Sequence, residues 1–315
     1  MINLKEYIKE GLFDDVDKLE GENGLENNNK LLEVIDWIVN NTADKVHKNK
    51  LKFNIRTSPM TVDYEGNIRY TISAKSLTNG MFQWGKIKGD FSCLGCRSLK
   101  TLEGAPKKVY GAFECNLCDS LTNLKGAPEF VEENFNCTGC YLLTSLEGAP
   151  KKVRGDFYCY NCRSLKNLEG CPEEVGGAFY CYRCASLKNL EGSPKEVGGI
   201  FNCTDCDSLK SLEGAPKIVG GDFYCFNCDS LETLEGAPKK LDGNFNCVNC
   251  ESLTSLGDTL KEVGGYFDCS HCPSLKSLEG APKKVGADFR CRNCGTQFTE
   301  DDVKKVSNVK KRIDC

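Results

Sequence analysis

The feature that most constrains this chain is a Cys-x-x-Cys pair that returns every 22 residues with no insertion or deletion. The pairs are Cys93/Cys96, Cys115/Cys118, Cys137/Cys140, Cys159/Cys162, Cys181/Cys184, Cys203/Cys206, Cys225/Cys228, Cys247/Cys250, Cys269/Cys272 and Cys291/Cys294. Of the 22 cysteines, only Cys171 and Cys315 fall outside the series. A fixed period of this length marks a solenoid, because one unit cannot bury its apolar side alone and must stack on its neighbours. With every unit the same length, each core position repeats as a column along the stack.

The shared unit reads V-G-G-x-F-x-C-x-x-C-x-S-L-x-x-L-E-G-A-P-x-x. In F-x-C the inward residues lie two apart, the period of a short strand. Phe113, Phe157, Phe179, Phe201 and Phe223 then form one interior column and the first cysteines a second. The residue before the second cysteine is Gly, Asn or Asp at Gly95, Gly139, Asn161, Asp205, Asn227, Asn249 and Asn293. These types tolerate the left-handed backbone of a tight turn, so the chain bends there. Leu165 and Leu168, with their equivalents, point back into the core, and E-G-A-P makes the return turn. Val153, Val175 and Val197 re-enter the interior before the Gly pair frees the backbone for the next strand. The expected coil holds one short parallel strand and one irregular return segment, without a helix.

The pattern resembles the leucine-rich repeat, L-x-x-L-x-L-x-x-N/C-x-L. The match runs through Val175, Phe179, Cys181, Cys184, Leu187 and Leu190, and through the equivalent residues of each unit. The second cysteine falls where that family places its ladder residue. Val to Phe is four residues rather than three, and Cys to Leu three rather than two. Units of the form "SLEGAPKKVGGDFYC" are also similar to those of uncharacterised phage-encoded repeat proteins. The resemblance covers residues 86–295 and implies a leucine-rich-repeat-like stack of about ten coils that serves as a binding scaffold.

The ends must close the stack. Residues 1–50 carry helical patterning in two blocks, Leu4, Tyr7, Ile8, Leu12 and Val16, then Leu31, Leu32, Ile35, Trp37, Ile38 and Val39. The polar "GENGLENNN" between them is expected to be a turn. Residues 51–85 read as a strand-rich cap with a degenerate first coil, in which Leu77 keeps the phase while Thr71 and Ala74 replace the cysteines. Residues 296–315 are expected to be a capping helix with Thr299 as N-cap and acids in its first turn. Lys310, Lys311 and Arg312 would lie near its end, where complementing the helix dipole is a simpler role for them than nucleic-acid contact.

The cysteines admit three chemistries. As free thiols they are small hydrophobes that fill a core, and the second column could bond turn backbone as a ladder residue. As metal ligands, the pairs of adjacent coils would offer four sulfurs in a patch about 5 Å on a side, suited to zinc or an iron–sulfur cluster. As a redox site they would need a reactive thiol at a helix N-terminus or beside positive charge, and no such setting recurs with the repeat. Repetition weakens the metal reading, since every core position repeats whether or not it binds anything. Five doubly negative sites in one buried row would also repel each other. The inert thiol core is therefore the primary expectation, with no cofactor.

No constellation for catalysis is present. The histidines are His47 and His271, the latter in the turn of "CSHC". Acid pairs such as Asp14/Asp15 and Asp301/Asp302 suit helix starts. A net charge of −4 with both signs interspersed gives no signal for nucleic acid. No apolar run reaches the roughly 18 residues of a spanning helix, and the charged start does not read as a secretory leader. A cytoplasmic protein is expected. What remains is surface: Tyr158, Tyr160, Tyr180, Tyr182, Arg183, Tyr224 and Phe226 fall on the outward side of the F-x-C strands. Aromatic and Arg enrichment is characteristic of binding hot spots, although tyrosine also simply favours strand surfaces. The expectation is a non-enzymatic interaction protein that presents this face to a protein or other macromolecule.

Overall fold

A computed structural model describes residues 24–43, 46–47, 51–54 and 59–315. The expected first helix, with Leu4, Tyr7, Ile8, Leu12 and Val16, lies outside the described residues. The second is α1 (Gly24–Asn41), whose Leu31, Val34, Ile35 and Ile38 are buried at helical spacing. It begins inside the stretch expected to be a turn. Once the apolar face docks, extending a helix costs far less than nucleating one, so the polar residues before it join.

The remainder is a parallel β-solenoid, and its F-strand sheet holds 12 strands, from Ile68–Arg69 to Ile313–Asp314. Each coil carries two short strands where the repeat predicts one. The second is the x-V pair, as at Glu174–Val175, which bonds in register to Lys152–Val153 and Glu196–Val197. The cause lies in the V-G-G corner. Gly198 passes so close to the coil before it that an added Cβ would sit 2.1 Å from the Gly176 carbonyl oxygen. That approach lets the backbone ladder run on, with the Gly198 N–H donating to the Val175 carbonyl at 2.9 Å. The V-side ladder is divided between Ile218–Val219 and Lys240–Leu241.

The interior is a set of columns. Phe rings stack along the axis, as in Phe157–Phe179 at 5.2 Å and 4° between planes. Val, two Leu and two Cys columns complete the core, essentially without solvent contact except at Cys294. All ten residues before the second cysteine adopt left-handed backbone: the seven Gly, Asn and Asp expected, and also Leu117, Arg183 and His271.

At the N-terminal end, an antiparallel hairpin of Leu51–Asn54 and Thr61–Tyr64 leads into the V-side sheet. Trp37 of α1 packs on Tyr70 and Phe82, and Tyr70 packs on Phe91 at 5.6 Å, so aromatic rings close the Phe column. Tyr70, rather than Thr71, occupies the first-cysteine position of the strand, since its N–H donates to the Ser92 carbonyl. Thr71 keeps the turn position, where its carbonyl accepts from the Cys96 thiol. A one-residue insertion thus splits the role assigned to Thr71 between two residues.

At the other end, α2 (Glu300–Val306) has Thr299 as N-cap, in a reciprocal capping box with Asp302. It does not run to the end of 296–315. Ser307 is extended, and residues 308–314 form a twelfth coil, with Asn308–Val309 on Lys284–Val285 and Ile313–Asp314 on Phe289–Arg290. Lys310, Lys311 and Arg312 therefore occupy the corner between two strands; the basic last turn of the helix is Lys304 and Lys305. The sequence carries the reason: Val309 and Ile313 are four apart, the spacing of Val285 and Phe289.

Candidate functional site: an aromatic face over a thiol ladder

The two Cys columns are held by hydrogen bonds to backbone. In every pair after the first, the second thiol donates to the carbonyl of the first cysteine one coil earlier, as from Cys184 to Cys159 and from Cys206 to Cys181, both at 3.3 Å. The same bond recurs from Cys118 to Cys294. Several first-column thiols donate forward, as from Cys137 to the Tyr158 carbonyl at 3.4 Å. Burial pushes thiols such as Cys159, Cys181 and Cys203 well above their ordinary pKa, and it lifts Cys96 and Cys272 to about 12. They are protonated donors at neutral pH.

This arrangement disagrees with the alternative in which Cys159, Cys162, Cys181 and Cys184 supply four sulfurs to one metal. Cys162 is buried and donates to the Cys137 carbonyl at 3.3 Å, so its thiol serves the coil before it rather than a shared centre with the coil after it. Cys140, Cys228 and Cys250 make the equivalent bonds to Cys115, Cys203 and Cys225. All the cysteines are free, and among the described residues no three His, Cys, Asp or Glu side chains gather as a metal-binding group. The physical reason is competition for the same sulfur. Binding metal would require ladder thiols to give up both proton and carbonyl partner.

Accessibility then sets reactivity. Alkylation of native protein at neutral pH should label exposed Cys315 first and partly buried Cys294 next, leaving Cys181 and Cys184 unmodified until unfolding. Peptide mass spectrometry reads the order, and labelling of the central pair at the rate of Cys315 would refute it.

The outward positions of the F-strands and their turns form the face. Tyr158 and Tyr180 occupy one in-register row, with rings 5.1 Å apart and 3° between planes. Tyr160 and Tyr182 form a second row at 4.3 Å and 8°. The rows meet edge to face at 6.4 Å, so four rings make one block. The Tyr158 hydroxyl donates to Asp156 and that of Tyr224 to Asp222. Burial, and the carboxylate each hydroxyl serves, raise the pKa of both tyrosines. Burial and the neighbouring Tyr160 lift Tyr182 to about 12. All three phenols are neutral donors at physiological pH.

Arg183 is the exposed edge of this block. Its φ of 58° is a conformation that seven of the ten coils give to Gly, Asn or Asp. A long side chain there costs about 1 kcal/mol or more, a cost that Leu117 and His271 share at their own turns. Its guanidinium reaches Asp205 of the next coil at 3.3 Å.

The seven residues expected on the face are brought to one sheet side but not to one continuous block. Tyr224 and Phe226 pack edge to face with each other, yet the coil before them carries Asn202 and Thr204. Sequence reasoning also passed over Asp156 and Asp222, whose signal was an acid two residues before a tyrosine. It passed over Tyr266 and Arg290 too, where the guanidinium lies 4.8 Å from the ring centroid. Compared with family models, curated proteins and solved structures, the chain matches none, so the face must be judged on its own geometry.

Proposed function

We propose that this chain is a non-enzymatic interaction protein, a solenoid scaffold whose F-strand face, centred on Tyr158, Tyr160, Tyr180, Tyr182 and Arg183 and extended by Tyr224 and Phe226, engages a partner protein. The observation that carries the reading is the four-tyrosine block beside a strained arginine. Large, rigid rings present contact area at low entropic cost, and strain persists where it serves a site. The thiols support a scaffold rather than a catalyst, since buried, protonated sulfur is a poor nucleophile. Free thiols without disulfides suit a reducing compartment, in keeping with a cytoplasmic role. In use, though not in its two-stranded coil, the protein is leucine-rich-repeat-like.

Replacing Tyr158, Tyr180 and Tyr224 together by Ser should abolish capture of partner from a lysate while leaving the circular dichroism spectrum unchanged. Unchanged capture would sink the reading. Arg183→Asn should weaken capture and yet raise stability by about 1 kcal/mol in urea denaturation, because Asn accepts left-handed backbone more readily. A variant no more stable than the parent would show that the turn is not strained.

A further inference from the structure

The first-cysteine column does not stop at Cys291. Ile313 lies beside Phe289 in the parallel F-strand sheet, and the Cys291 N–H donates to the Asp314 carbonyl at 2.8 Å, so Cys315 falls in register beside Cys291. Other thiols of this column donate forward to backbone, as from Cys203 to the Tyr224 carbonyl and from Cys269 to the Arg290 carbonyl, both at 3.5 Å. The Cys291 thiol instead meets sulfur, with its Sγ 3.3 Å from that of Cys315. Neighbouring strands lie about 4.8 Å apart, inside the Cα separation of about 4.4–6.8 Å that a disulfide spans. Closing the two sulfurs to a bonding distance of about 2.0 Å needs a shift of about 1.3 Å, within reach of side-chain rotation.

Access separates this pair from the rest of the column. Cys315 is exposed, whereas the first cysteines from Cys93 to Cys269 are buried. Cys294, the other accessible thiol of the last coils, is held by backbone, since it donates to the Cys269 carbonyl at 3.3 Å. The position of the pair in the stack gives a bond between them something to hold. Between Cys291 and Cys315 lie α2 and the twelfth coil, whose strands Asn308–Val309 and Ile313–Asp314 each pair on one side only. A coil with one neighbour is the first to open in a stack.

We propose that Cys291 and Cys315 are a redox clasp: a small disulfide such as oxidised glutathione joins them, and the bond pins α2 and the twelfth coil to the stack. Exposed Cys315 loses its proton and attacks one sulfur of the oxidant, forming a mixed disulfide and releasing one thiolate, which takes up a proton. Cys291 then loses its proton and attacks the Cys315 sulfur, displacing the second thiolate, which is protonated in turn. Two protein thiols are oxidised to one disulfide, and the oxidant is reduced to two thiols. Excess reduced glutathione reverses both steps. Burial raises the pKa of Cys315, so little thiolate is present at neutral pH and closure proceeds over minutes to hours, as uncatalysed exchange does. The closed bond spans 24 positions of chain, so it removes much of the freedom that the opened end would gain.

The test incubates the reduced full chain with oxidised glutathione under native, mildly alkaline conditions, blocks remaining thiols by alkylation, and maps the bonds by peptide mass spectrometry without reduction. A peptide joining Cys291 to Cys315 should accumulate while Cys181 and Cys184 stay free, and dithiothreitol should abolish it. Glutathione that remains on Cys315, a bond from Cys315 to Cys294, a bond from Cys294 to Cys269, or a Cys315 bond between two chains, each in place of the expected link, overturns the proposal. Limited trypsin digestion reads the clasp itself. Cleavage after Lys310 and Lys311 should slow by about tenfold on oxidation and recover on reduction, because opening of the end coil is what exposes those bonds. Cleavage that stays unchanged once the bond has formed would show that the bond holds nothing, and overturns the clasp. Cys315→Ser, at an exposed position, should lose both the link and the protection, whereas Cys294→Ser should keep both. Protection that survives in Cys315→Ser would assign it to another thiol and overturn the proposal as well.

Discussion

Raising the pH above about 9 should unfold this protein over a narrow range, even with a reductant present to keep every thiol free. In the native state, burial holds the ladder thiols protonated far above their ordinary range, as at Cys115, Cys159, Cys181, Cys203 and Cys225. In the unfolded chain the same thiols ionise near about pH 8.5. Above that value the unfolded state has fewer bound protons than the native state, so stability falls as pH rises; below it both states are protonated and the contribution is constant. Each such thiol removes about 1.4 kcal/mol per pH unit past its unfolded pKa. Ten of them acting together would remove roughly 14 kcal/mol one unit above it, as much as the whole stability of an ordinary domain. Circular dichroism against pH reads the transition. A spectrum unchanged to about pH 11 would show that the native thiols titrate as free ones do, and the buried ladder would be wrong.

Truncating a central ring should cost nearly as much as any single change in the core. Phe179→Ala should destabilise the protein by about 3–5 kcal/mol, from lost burial plus the cavity left behind. It removes ring stacking on both sides, with Phe157 at 5.2 Å and Phe201 at 5.5 Å. Each stacked pair is worth about 0.5–1.5 kcal/mol beyond its burial. Because a coil touches mainly its neighbours, the damage should also uncouple the two halves of the stack, so that urea denaturation shows two transitions. Phe289→Ala should cost about 1 kcal/mol less and leave one transition, since Phe289 meets Phe267 in a tilted contact and meets Ile313 rather than a ring on its other side. Equal losses at the two positions would contradict a column whose rings support one another.

Much of this fold was legible in one dimension, because a strict period turns three-dimensional packing into spacing. Phe, Val, Leu and Cys positions each map to one column, and Gly, Asn and Asp before the second cysteine marked the turn. Two kinds of feature escaped. The twelfth coil was hidden by α2, which replaces the E-G-A-P return and draws attention to its own capping signals, although Val309 and Ile313 keep the spacing. The x-V strand was hidden because two residues are too few to show alternation; only the neighbouring coils, brought close by glycine, make them a strand.

The candidate face was legible as a list and not as a surface. Tyr158, Tyr160, Tyr180 and Tyr182 announce themselves by type, and their outward direction follows from the inward Phe and Cys beside them. That Asp156 and Asp222 hold the hydroxyls of tyrosines two residues on is a feature of one coil that residue type does not announce, whereas the stacking of Tyr158 on Tyr180 and of Tyr160 on Tyr182 depends on contacts between coils. So does the bond that ties Cys162 to Cys137, which spacing alone left open to metal.

The sequence by itself determined the coil: its length, its buried columns, its turn and its stacking on copies of itself. It did so because each of those properties is local to 22 residues and repeats. Only the tertiary structure decided what meets across coils: which rings stack, which thiol bonds which carbonyl, and which carboxylate Arg183 reaches. Neighbours on that face are a full coil apart in sequence, and they meet only after the solenoid has closed about 5 Å of rise between them.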